Sequence, residues 1–227
     1  MDVRYYTDII NLKMREKFEN LCDFLLQYNE KINLTSITDK NEVFSKHFLD
    51  SILGEKLFFE GAHVIEIGSG GGFPSIPLKV LRDDLSFTLV ESTAKKCNYL
   101  TACVDNFALN GVKVVNGRAE ELGKLAQYRE KYDCSTARAV ARLNVLCEYC
   151  MPFVKVGGNF IAYKGECDKE LIEAEKAIKV LGGEIESVQK YNLPSGDKRT
   201  LISIKKVCAT PEKYPRGQGR ERKCPIV

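Results

Sequence analysis

Short apolar runs and helically spaced apolar residues alternate along the chain from residue 63 onward. Runs of about four to eight apolar or β-branched residues indicate strands, and an apolar residue at every third or fourth position indicates a helix. The runs predict strands at 63–67, 86–91, 112–116, 132–136, 157–163, 184–192 and 199–206. The helical spacing predicts helices at 75–82, 93–109, 119–129, 141–153 and 168–181.

This alternation predicts an α/β fold in which helices cover both faces of a seven-stranded, mostly parallel sheet. Only residues 193–197 separate the last two predicted strands, which is short enough for a hairpin. Because a hairpin joins antiparallel strands, the final strand is expected to run antiparallel to its neighbours.

The region before the first strand is predicted to be helical. Apolar residues recur on one face of a helix over residues 15–32. Asp39 and Glu42 have the spacing of a capping box, which predicts a second helix to about Leu53. The pattern therefore divides one compact domain into an N-terminal helical cap (1–58), a core (59–207) and a C-terminal tail (208–227).

A glycine-rich loop leaves the first predicted strand. Glycine fills four of the five positions from Gly68 to Gly72. Because glycine has no Cβ atom, backbone at Gly68 and Gly70 can touch a bound molecule and adopt φ values that other residues avoid. A ligand loop at the end of a buried strand is one interpretation, and a purely structural turn is the alternative.

Two common nucleotide-binding loops do not match this segment. No Gly-Lys-Ser/Thr closes the loop, as a P-loop requires. The dinucleotide fingerprint needs a third glycine where this chain has Phe73, and Pro74 and Pro77 interrupt the expected helix start. The loop therefore favours a nucleoside cofactor without a pyrophosphate, for which S-adenosylmethionine is the candidate.

An acidic residue stands where such a cofactor would need it. Glu91 ends the second predicted strand, about 20 residues after the glycines. A carboxylate at that position can accept hydrogen bonds from both hydroxyl groups of a ribose. A solvated acid at a strand end is the alternative.

Composition indicates a globular protein that stays in the cytosol. Of 227 residues, 44% are hydrophobic and 29% are charged. No window approaches the ~18 apolar residues of a membrane span, and the N-terminus lacks the apolar core of a signal peptide. We expect a monomer.

The cysteines and histidines do not predict a metal site. Cys147 and Cys150 form a C-x-x-C pair within a predicted helix, but no second pair or neighbouring histidine supports them. His47 and His63 are the only histidines. Packed thiols are the better interpretation, and the same holds for Cys134 within a strand.

Positive charge is concentrated at the C-terminus. Residues 205–227 hold seven Lys or Arg residues against two Glu residues, a net charge of +5 in a chain whose total is +3. We expect a mobile basic strap that neutralises RNA phosphates, with a solubilising terminus as the alternative. The candidate RNA-binding residues are Lys164, which follows a strand and could equally be an ordinary exposed lysine, and Lys213, Arg216, Arg220, Arg222 and Lys223.

These motifs together resemble one protein family, the bacterial small-subunit ribosomal RNA guanine-N7 methyltransferases, also called glucose-inhibited division protein B. The most specific part of this resemblance is the segment G-F-P-x-I-P-L at residues 72–78. The other matching segments are 33–35, 47–51, 65–71, 91–92 with 95–96, 118–121, 138–141, 163–165, and 213–216 with 223–225. Glu66 stands where the family usually has aspartate, and Ser75 where it usually has glycine, so the resemblance departs from the family pattern at these two positions.

The resemblance implies a Rossmann-like class I S-adenosylmethionine-dependent methyltransferase fold. It implies cofactor contacts at Gly68, Phe73, Ala119, Glu120 and Arg138, with Ala119 and Glu120 beside the adenine. Arg138 could position the target base or the cofactor carboxylate, or it could form a helix-terminal ion pair.

The resemblance also implies an activity, which is methylation of N7 of a guanine in 16S rRNA or the small ribosomal subunit. Because N7 carries a free lone pair, no essential general base or covalent intermediate is expected. His47, Asp50 and Ser51 could fold over the active site as part of the cap, or could only make helix-end hydrogen bonds.

Three other functions remain open on the sequence alone. They are a small-molecule methyltransferase on the same fold, a nicotinamide-dependent oxidoreductase, and a non-enzymatic RNA-binding protein. The basic tail argues against the first, and Phe73 at the third glycine position argues against the second.

Overall fold

A seven-stranded sheet forms the centre of the computed structural model, which describes residues 2–227. The strand order is β3-β2-β1-β4-β5-β7-β6, so the chain reverses its direction of travel across the sheet between β1 and β4. The strands are β1 (His63–Ile67), β2 (Ser86–Glu91), β3 (Val112–Asn116), β4 (Tyr132–Arg138), β5 (Val154–Lys164), β6 (Gly183–Asn192) and β7 (Lys198–Lys206).

Parallel pairing joins the first five strands, and β7 runs antiparallel to both β5 and β6. The predicted seven-stranded α/β sheet with an antiparallel last strand is therefore confirmed. The helices are α1 (Val3–Asp8), α2 (Arg15–Asn29), α3 (Lys40–Glu42), α4 (Asp50–Ile52), α5 (Ser75–Leu81), α6 (Ala94–Asn106), α7 (Ala119–Leu122), α8 (Leu143–Cys150), α9 (Asp168–Val180) and α10 (Arg220–Lys223).

Successive residues of β1 point to opposite faces of the sheet and enter two different cores. Val64 packs into a cluster with α5, α6 and the N-terminal helices, whereas Ile65 packs into a cluster with α8 and α9. Both side chains are fully buried. A strand with helices on both faces needs apolar residues at consecutive positions, which explains why Val64 and Ile65 follow one another in the sequence.

The N-terminal helices belong to the first of these cores. Phe18 and Leu25 of α2 and Phe48 of the following helical segment have no exposed surface. That segment runs as α3, a π-helical stretch (Val43–Leu49) and α4, so the helix predicted from the capping box is present in three consecutive parts. Asp39 caps it by accepting a hydrogen bond from the Glu42 amide.

Most of the predicted helices are shorter in the structure, and the one predicted over 93–109 ends at Asn106. The first helix ends at Asn29 rather than at residue 32, because the Asn29 side chain binds the backbone of Leu34 and Thr35. The helix predicted over 119–129 ends at Leu122 and is followed by turns. The helix predicted over 141–153 begins at Leu143 and tightens to a 3₁₀ turn (Met151–Phe153) at Pro152.

The C-terminal tail packs against the core, so the prediction of a mobile strap is wrong. Arg129 explains much of this docking, because its guanidinium donates to the carbonyls of Thr210 and Tyr214 at 2.7 and 2.8 Å. Tyr214 is buried, and Arg216 forms an ion pair with the buried Glu148. The sequence showed the charge of the tail but not the partners that hold it.

Most of the cysteines are packed thiols, as predicted. Cys134, Cys147 and Cys150 are fully buried, and burial raises the pKa of each thiol. Among residues 2–227, no group of three or more His, Cys, Asp or Glu side chains is placed to hold a metal ion. No helix in the same range is long and apolar enough to cross a membrane.

Candidate active site

The glycine loop is a tight turn whose conformation requires glycine. Gly68, Gly70 and Gly72 have φ values of +71°, +52° and +84°. A Cβ atom on Gly68 would lie 2.7 Å from a methyl of Val140, and one on Gly72 would lie 2.4 Å from Ile76. A Cβ on Gly70 would meet nothing closer than 3.8 Å, so the loop is open on that side.

Glu91 lies at the tip of β2 and binds this loop. Its Oε2 accepts a hydrogen bond from the Gly70 amide at 3.0 Å, and its Oε1 accepts one from the Thr93 amide at 2.7 Å. Oε1 also accepts a hydrogen bond from the Ser92 hydroxyl, at 3.4 Å, so the lone pair left for a ligand hydroxyl group is on Oε2. The side chain is 7% exposed, which keeps those oxygens at the cavity wall.

Two adjoining cavities lie beyond the carboxyl ends of the strands, where α/β sheets bind ligands. The larger, called here the large cavity, has a volume of about 600 Å³. The smaller, called here the small cavity, has a volume of about 160 Å³. Gly68 and Val140 line both of them, so the two cavities lie next to one another beside the glycine loop.

The small cavity contains the two residues expected beside an adenine. Ala119 and Glu120 begin α7 directly after β3 and line this cavity with Ser92 from the end of β2. Arg118 and Glu120 approach one another to 4.0 Å. The glycine loop, a carboxylate with spare acceptor capacity and this separate cavity together fit an adenosine-type group.

Arg138 ends β4 at the wall of the large cavity and is held by the N-terminal cap. Its Nη1 lies 3.1 Å from Asp50 Oδ2, and its Nη2 lies 3.0 Å from His47 Nδ1. The guanidinium carbon lies 4.9 Å from the centroid of the Phe73 ring. Of the predicted roles for Arg138, the ion pair is the one that the structure contains, although the side chain still lines the cavity.

His47 is a neutral structural residue. Its ring stacks on Phe73 with centroids 4.4 Å apart and an interplanar angle of 16°. Burial, followed by the charge of Arg138, lowers the pKa of His47 to about 3. Because arginine only donates, Nδ1 must be the acceptor, and Nε2 carries the proton that bonds Thr35 Oγ1 at 2.7 Å.

The three cap residues proposed from the sequence have different positions. His47 and Asp50 line the large cavity, as the active-site interpretation expects. The Ser51 hydroxyl donates to the carbonyl of His47 at 2.6 Å. This agrees with the alternative interpretation, in which these residues make only helix-end hydrogen bonds. Asp50 also accepts from the Tyr191 hydroxyl at 2.8 Å, and it is only 3% exposed.

Glu66 and Ser75, the two departures from the family pattern, contact one another below the glycine loop. Glu66 is fully buried, and its Oε2 accepts from the Ser75 amide at 3.2 Å. Within the described residues, Glu66 Oε1 and Ser75 Oγ have no hydrogen-bond partner. Burial raises the pKa of Glu66 to about 7, whereas the neighbouring Ser75 and the charge of Arg138 lower it.

The candidate RNA-binding residues do not form one group. Lys164 is largely buried at the large cavity, where it donates to the Ala141 carbonyl and pairs with Glu170 at 2.7 Å, so it is not an ordinary exposed lysine. Arg216 is engaged by Glu148. Lys213, Arg220, Arg222 and Lys223 are exposed, and Arg222 lines the small cavity.

Several residues of the site were not identified from the sequence. Thr35 binds His47, Tyr163 donates to the Ser51 carbonyl at 2.8 Å, and Arg199 lies 3.5 Å from Asp50. Thr35 and Tyr163 fall within segments that carried the family resemblance, which was the available signal. Arg199 is the second residue of β7 and had no such signal.

The fold is that of the class I S-adenosylmethionine-dependent methyltransferases. A methyltransferase of this type from Aquifex aeolicus aligns with 73% of this chain and 93% of its own length, with a TM-score of 0.54 and 14% identity. An O-methyltransferase from Bacillus cereus, solved with S-adenosylhomocysteine, covers 82% of this chain and 91% of its own length, with a TM-score of 0.57 and 17% identity.

Sequence similarity identifies the family of the chain within this fold. A family model described as rRNA small subunit methyltransferase G matches residues 14–202. The ribosomal RNA small subunit methyltransferase G of Lactobacillus acidophilus is 47% identical over 221 residues, which cover 94% of this chain and 92% of the relative. That of Brevibacillus brevis is 45% identical, covering 95% and 92%. The chain belongs to the rRNA small subunit methyltransferase G family.

Proposed function

We propose that this protein is an S-adenosylmethionine-dependent methyltransferase that acts on N7 of a guanine in 16S rRNA of the small ribosomal subunit. The family membership supports the enzyme class and the RNA substrate. The guanine-N7 position comes from the resemblance noted in the sequence and is supported by the chemistry of the site. Transfer would be direct, without a covalent enzyme intermediate.

The observation that carries this proposal is the charge around the large cavity. The cavity opens on the glycine loop, and its lining holds five cationic side chains and the two carboxylates of Asp50 and Glu91. Lys164 and Lys46 also pair with Glu170 and Glu42, which lie outside the lining. The cationic residues are Lys46, Lys96, Arg138, Lys164 and Arg199. A wall of this composition suits an anionic polymer, because neutralising phosphates is the main source of affinity for nucleic acids.

The residues assigned to the cofactor surround the junction of the two cavities. Gly68 and Gly70 would approach it through backbone, Glu91 would accept from the ribose hydroxyls, and Ala119 with Glu120 would border the adenine. Phe73 and Arg138 would act at the other end, where Arg138 positions the reacting groups while Asp50 and His47 hold it in place.

Among the described residues that line the large cavity, no His, Asp or Glu side chain is without a hydrogen-bond or ion-pair partner, which suits a nitrogen that needs no base. His47 is uncharged with both ring nitrogens bonded, Asp50 is paired with Arg138, and Glu91 accepts from two backbone amides. Among the described residues that line the large cavity there is no cysteine that could attack a base. When bound, S-adenosylmethionine supplies a methyl carbon made electrophilic by its sulfonium. The side chains would contribute alignment, which can supply about 7–11 kcal/mol.

The target guanine must be accessible in the RNA. In an A-form duplex the N7 edge lies in a deep, narrow groove that side chains cannot reach. The base would therefore come from a loop or be turned out of its stack into the large cavity. Lys164 at the cavity and the exposed Lys213, Arg220 and Lys223 of the tail are the residues proposed to contact the surrounding phosphates.

Mapping N7-methylguanine in ribosomal RNA tests this function. Small-subunit RNA would be taken from cells with the gene, without it, and without it but supplied with either the wild-type chain or Gly68→Val. We expect one N7-methylguanine that disappears with the gene, returns with the wild-type chain and does not return with Gly68→Val. An unchanged methylation pattern in the deleted strain would contradict the proposal.

A further inference from the structure

The C-terminal tail contributes one residue to the small cavity. Most of that cavity's lining comes from the ends of strands β1 to β4 and from α7. The buried Tyr149 of α8 and the exposed Arg222 of the tail complete the lining. Arg222 was expected to bind RNA phosphates, but its side chain borders the site where Ala119 and Glu120 lie.

The position of Arg222 is fixed by contacts on both sides of it. The preceding Glu221 is fully buried and accepts a hydrogen bond from the Gly217 amide. Further back, the amide and the guanidinium of Arg216 both bind Glu148 of α8, at 2.8 and 2.7 Å. The tail therefore reaches the small cavity along a path that the core determines.

The guanidinium of Arg222 is attached to the cavity wall. Its Nη2 donates to the carbonyl of Val140, at 3.3 Å, and Val140 lines both cavities. Tyr149 lies close by: burial raises the pKa of its hydroxyl, and the Arg222 charge acts in the opposite direction. A role in solubility alone would not require the Arg222 guanidinium to bind the cavity wall.

The size of the small cavity limits what can enter it. A volume of about 160 Å³ is roughly five times the ~30 Å³ that a water molecule occupies in the liquid. Whole-ligand pockets usually exceed about 300 Å³, so the small cavity can enclose only one end of a cofactor. A planar heteroaromatic ring is the part of S-adenosylmethionine that suits it.

We propose that Arg222 is a cofactor-binding residue whose guanidinium covers the adenine of S-adenosylmethionine and closes the small cavity from solvent. This inference rests on the proposed function, because it assumes that cofactor. The planar guanidinium is suited to the role, since it stacks on aromatic faces and donates hydrogen bonds to ring nitrogens. The tail would thus serve the cofactor as well as the RNA.

Calorimetric titration of the full-length chain with S-adenosylhomocysteine tests this inference. We expect Arg222→Ala to weaken binding about fivefold, which corresponds to about 1 kcal/mol at 1.4 kcal/mol per tenfold. Arg222→Lys should also bind more weakly than wild type, because an ammonium group lacks the planar surface. Arg220→Ala removes the same charge from the same short helix, outside the cavity lining, and should bind like wild type.

Two further titrations locate the effect. With adenosine as the probe, Arg222→Ala should show the same fold loss, because the contact is at the base. In filter binding with small-subunit ribosomal RNA, Arg222→Ala and Arg220→Ala should lose affinity equally. Circular dichroism of each variant confirms that it is folded.

Different results would overturn different parts of the account. If the wild-type chain binds S-adenosylhomocysteine and Arg222→Ala binds it equally well, the role of Arg222 is wrong while the proposed function stands. If Arg220→Ala weakened S-adenosylhomocysteine binding as much as Arg222→Ala, or if Arg222→Lys bound it with full affinity, positive charge alone would explain the effect. Either result would overturn the proposed contact between the Arg222 guanidinium and the adenine. If the wild-type chain does not bind the ligand at all, the proposed function fails and this inference fails with it.

Discussion

Arg138 is the residue through which the cap and the sheet meet at the site. Four acceptors of the cap receive its hydrogen bonds: the carbonyls of Lys46 and His47, the Nδ1 of His47 and the carboxylate of Asp50. Because its side chain is 12% exposed and that of Asp50 is 4% exposed, neither charge is well solvated. Each charge therefore depends on the other.

Asp50→Asn should destabilise the protein by about 3 kcal/mol, because removing one partner leaves the other charge buried without compensation. Urea unfolding at neutral pH measures this loss. The matched control is Glu166→Gln, which breaks an ion pair with Lys198 whose side chains are about two-thirds exposed. That change should cost less than about 1 kcal/mol. Equal effects of the two substitutions would show that the Arg138–Asp50 pair is not buried in solution.

Glu66 gives the protein a specific dependence on pH. Its pKa is about 7 in the folded chain against 4.5 for a free carboxyl group, so the folded state holds a proton that the unfolded state has lost between these values. This raised pKa contributes stability that is complete below about pH 4.5 and is lost as the pH rises through 7. The loss is on the order of 3 kcal/mol, at about 1.36 kcal/mol per pH unit.

Glu66→Gln should remove that dependence, because an amide resembles the protonated carboxyl group and does not titrate. We expect the stability of the variant relative to wild type to increase by about 2–3 kcal/mol between pH 5 and pH 8. Chemical unfolding of both proteins across this range provides the comparison. Parallel stability curves would mean that Glu66 does not titrate in this range in the folded protein.

At the scale of the elements, the glycine loop depends on both its backbone conformation and its contact with Val140, which follows β4. Gly68 and Gly61 have similar φ values of +71° and +66°. A Cβ on Gly61 would have no atom within 4 Å, whereas one on Gly68 would overlap Val140. Substitutions at the two glycines therefore distinguish the free-energy cost of the left-handed backbone conformation from the cost of the contact with Val140.

Gly61→Ala should cost about 1–2 kcal/mol through its left-handed conformation. Gly68→Ala should cost about 1–3 kcal/mol more, because the added methyl also overpacks the loop against Val140. Thermal unfolding of the two variants and of Gly68→Ala with Val140→Ala distinguishes the terms, since the second substitution should recover part of the additional loss. No recovery in the double variant would argue against the contact.

The strands and their ends were predictable because the signals are local. The apolar residues of β1, the glycines after it and Glu91 at the end of β2 each follow from a few neighbouring residues. The hydrogen bond from the Gly70 amide to Glu91 was not predicted. The early end of α2 was not predictable in this way. It depends on Asn29 folding the following segment back onto itself, and helical spacing carries no information about that contact.

At the scale of the whole molecule, the contacts that complete the site join distant parts of the chain. His47 and Arg138 are 91 residues apart, and Val140 and Arg222 are 82 residues apart. No periodicity or spacing encodes such pairs, because they exist only once the sheet has formed. The same reason explains why the sequence suggested a mobile tail, since Arg129 and Glu148 give no local sign of binding it.

The docked tail should contribute measurably to global stability. Arg216→Ala leaves Glu148, whose side chain is 1% exposed, without its cationic partner and should cost about 3–5 kcal/mol. Arg220→Ala removes an exposed arginine from the same tail and should change stability by less than about 0.5 kcal/mol. Urea unfolding compares them, and hydrogen exchange at Tyr214 reports on the tail itself. A tail free in solution would make both substitutions neutral.

The central claim is that one site, made by the strand ends, the cap and the tail, transfers a methyl group to a guanine of small-subunit RNA. The most direct test incubates the purified chain with S-adenosylmethionine labelled in its methyl group and with small-subunit ribosomal RNA or particles lacking the modification. The account predicts label at N7 of a single guanine. It would be contradicted if RNA and particles remained unlabelled, or if the label appeared on another base or atom.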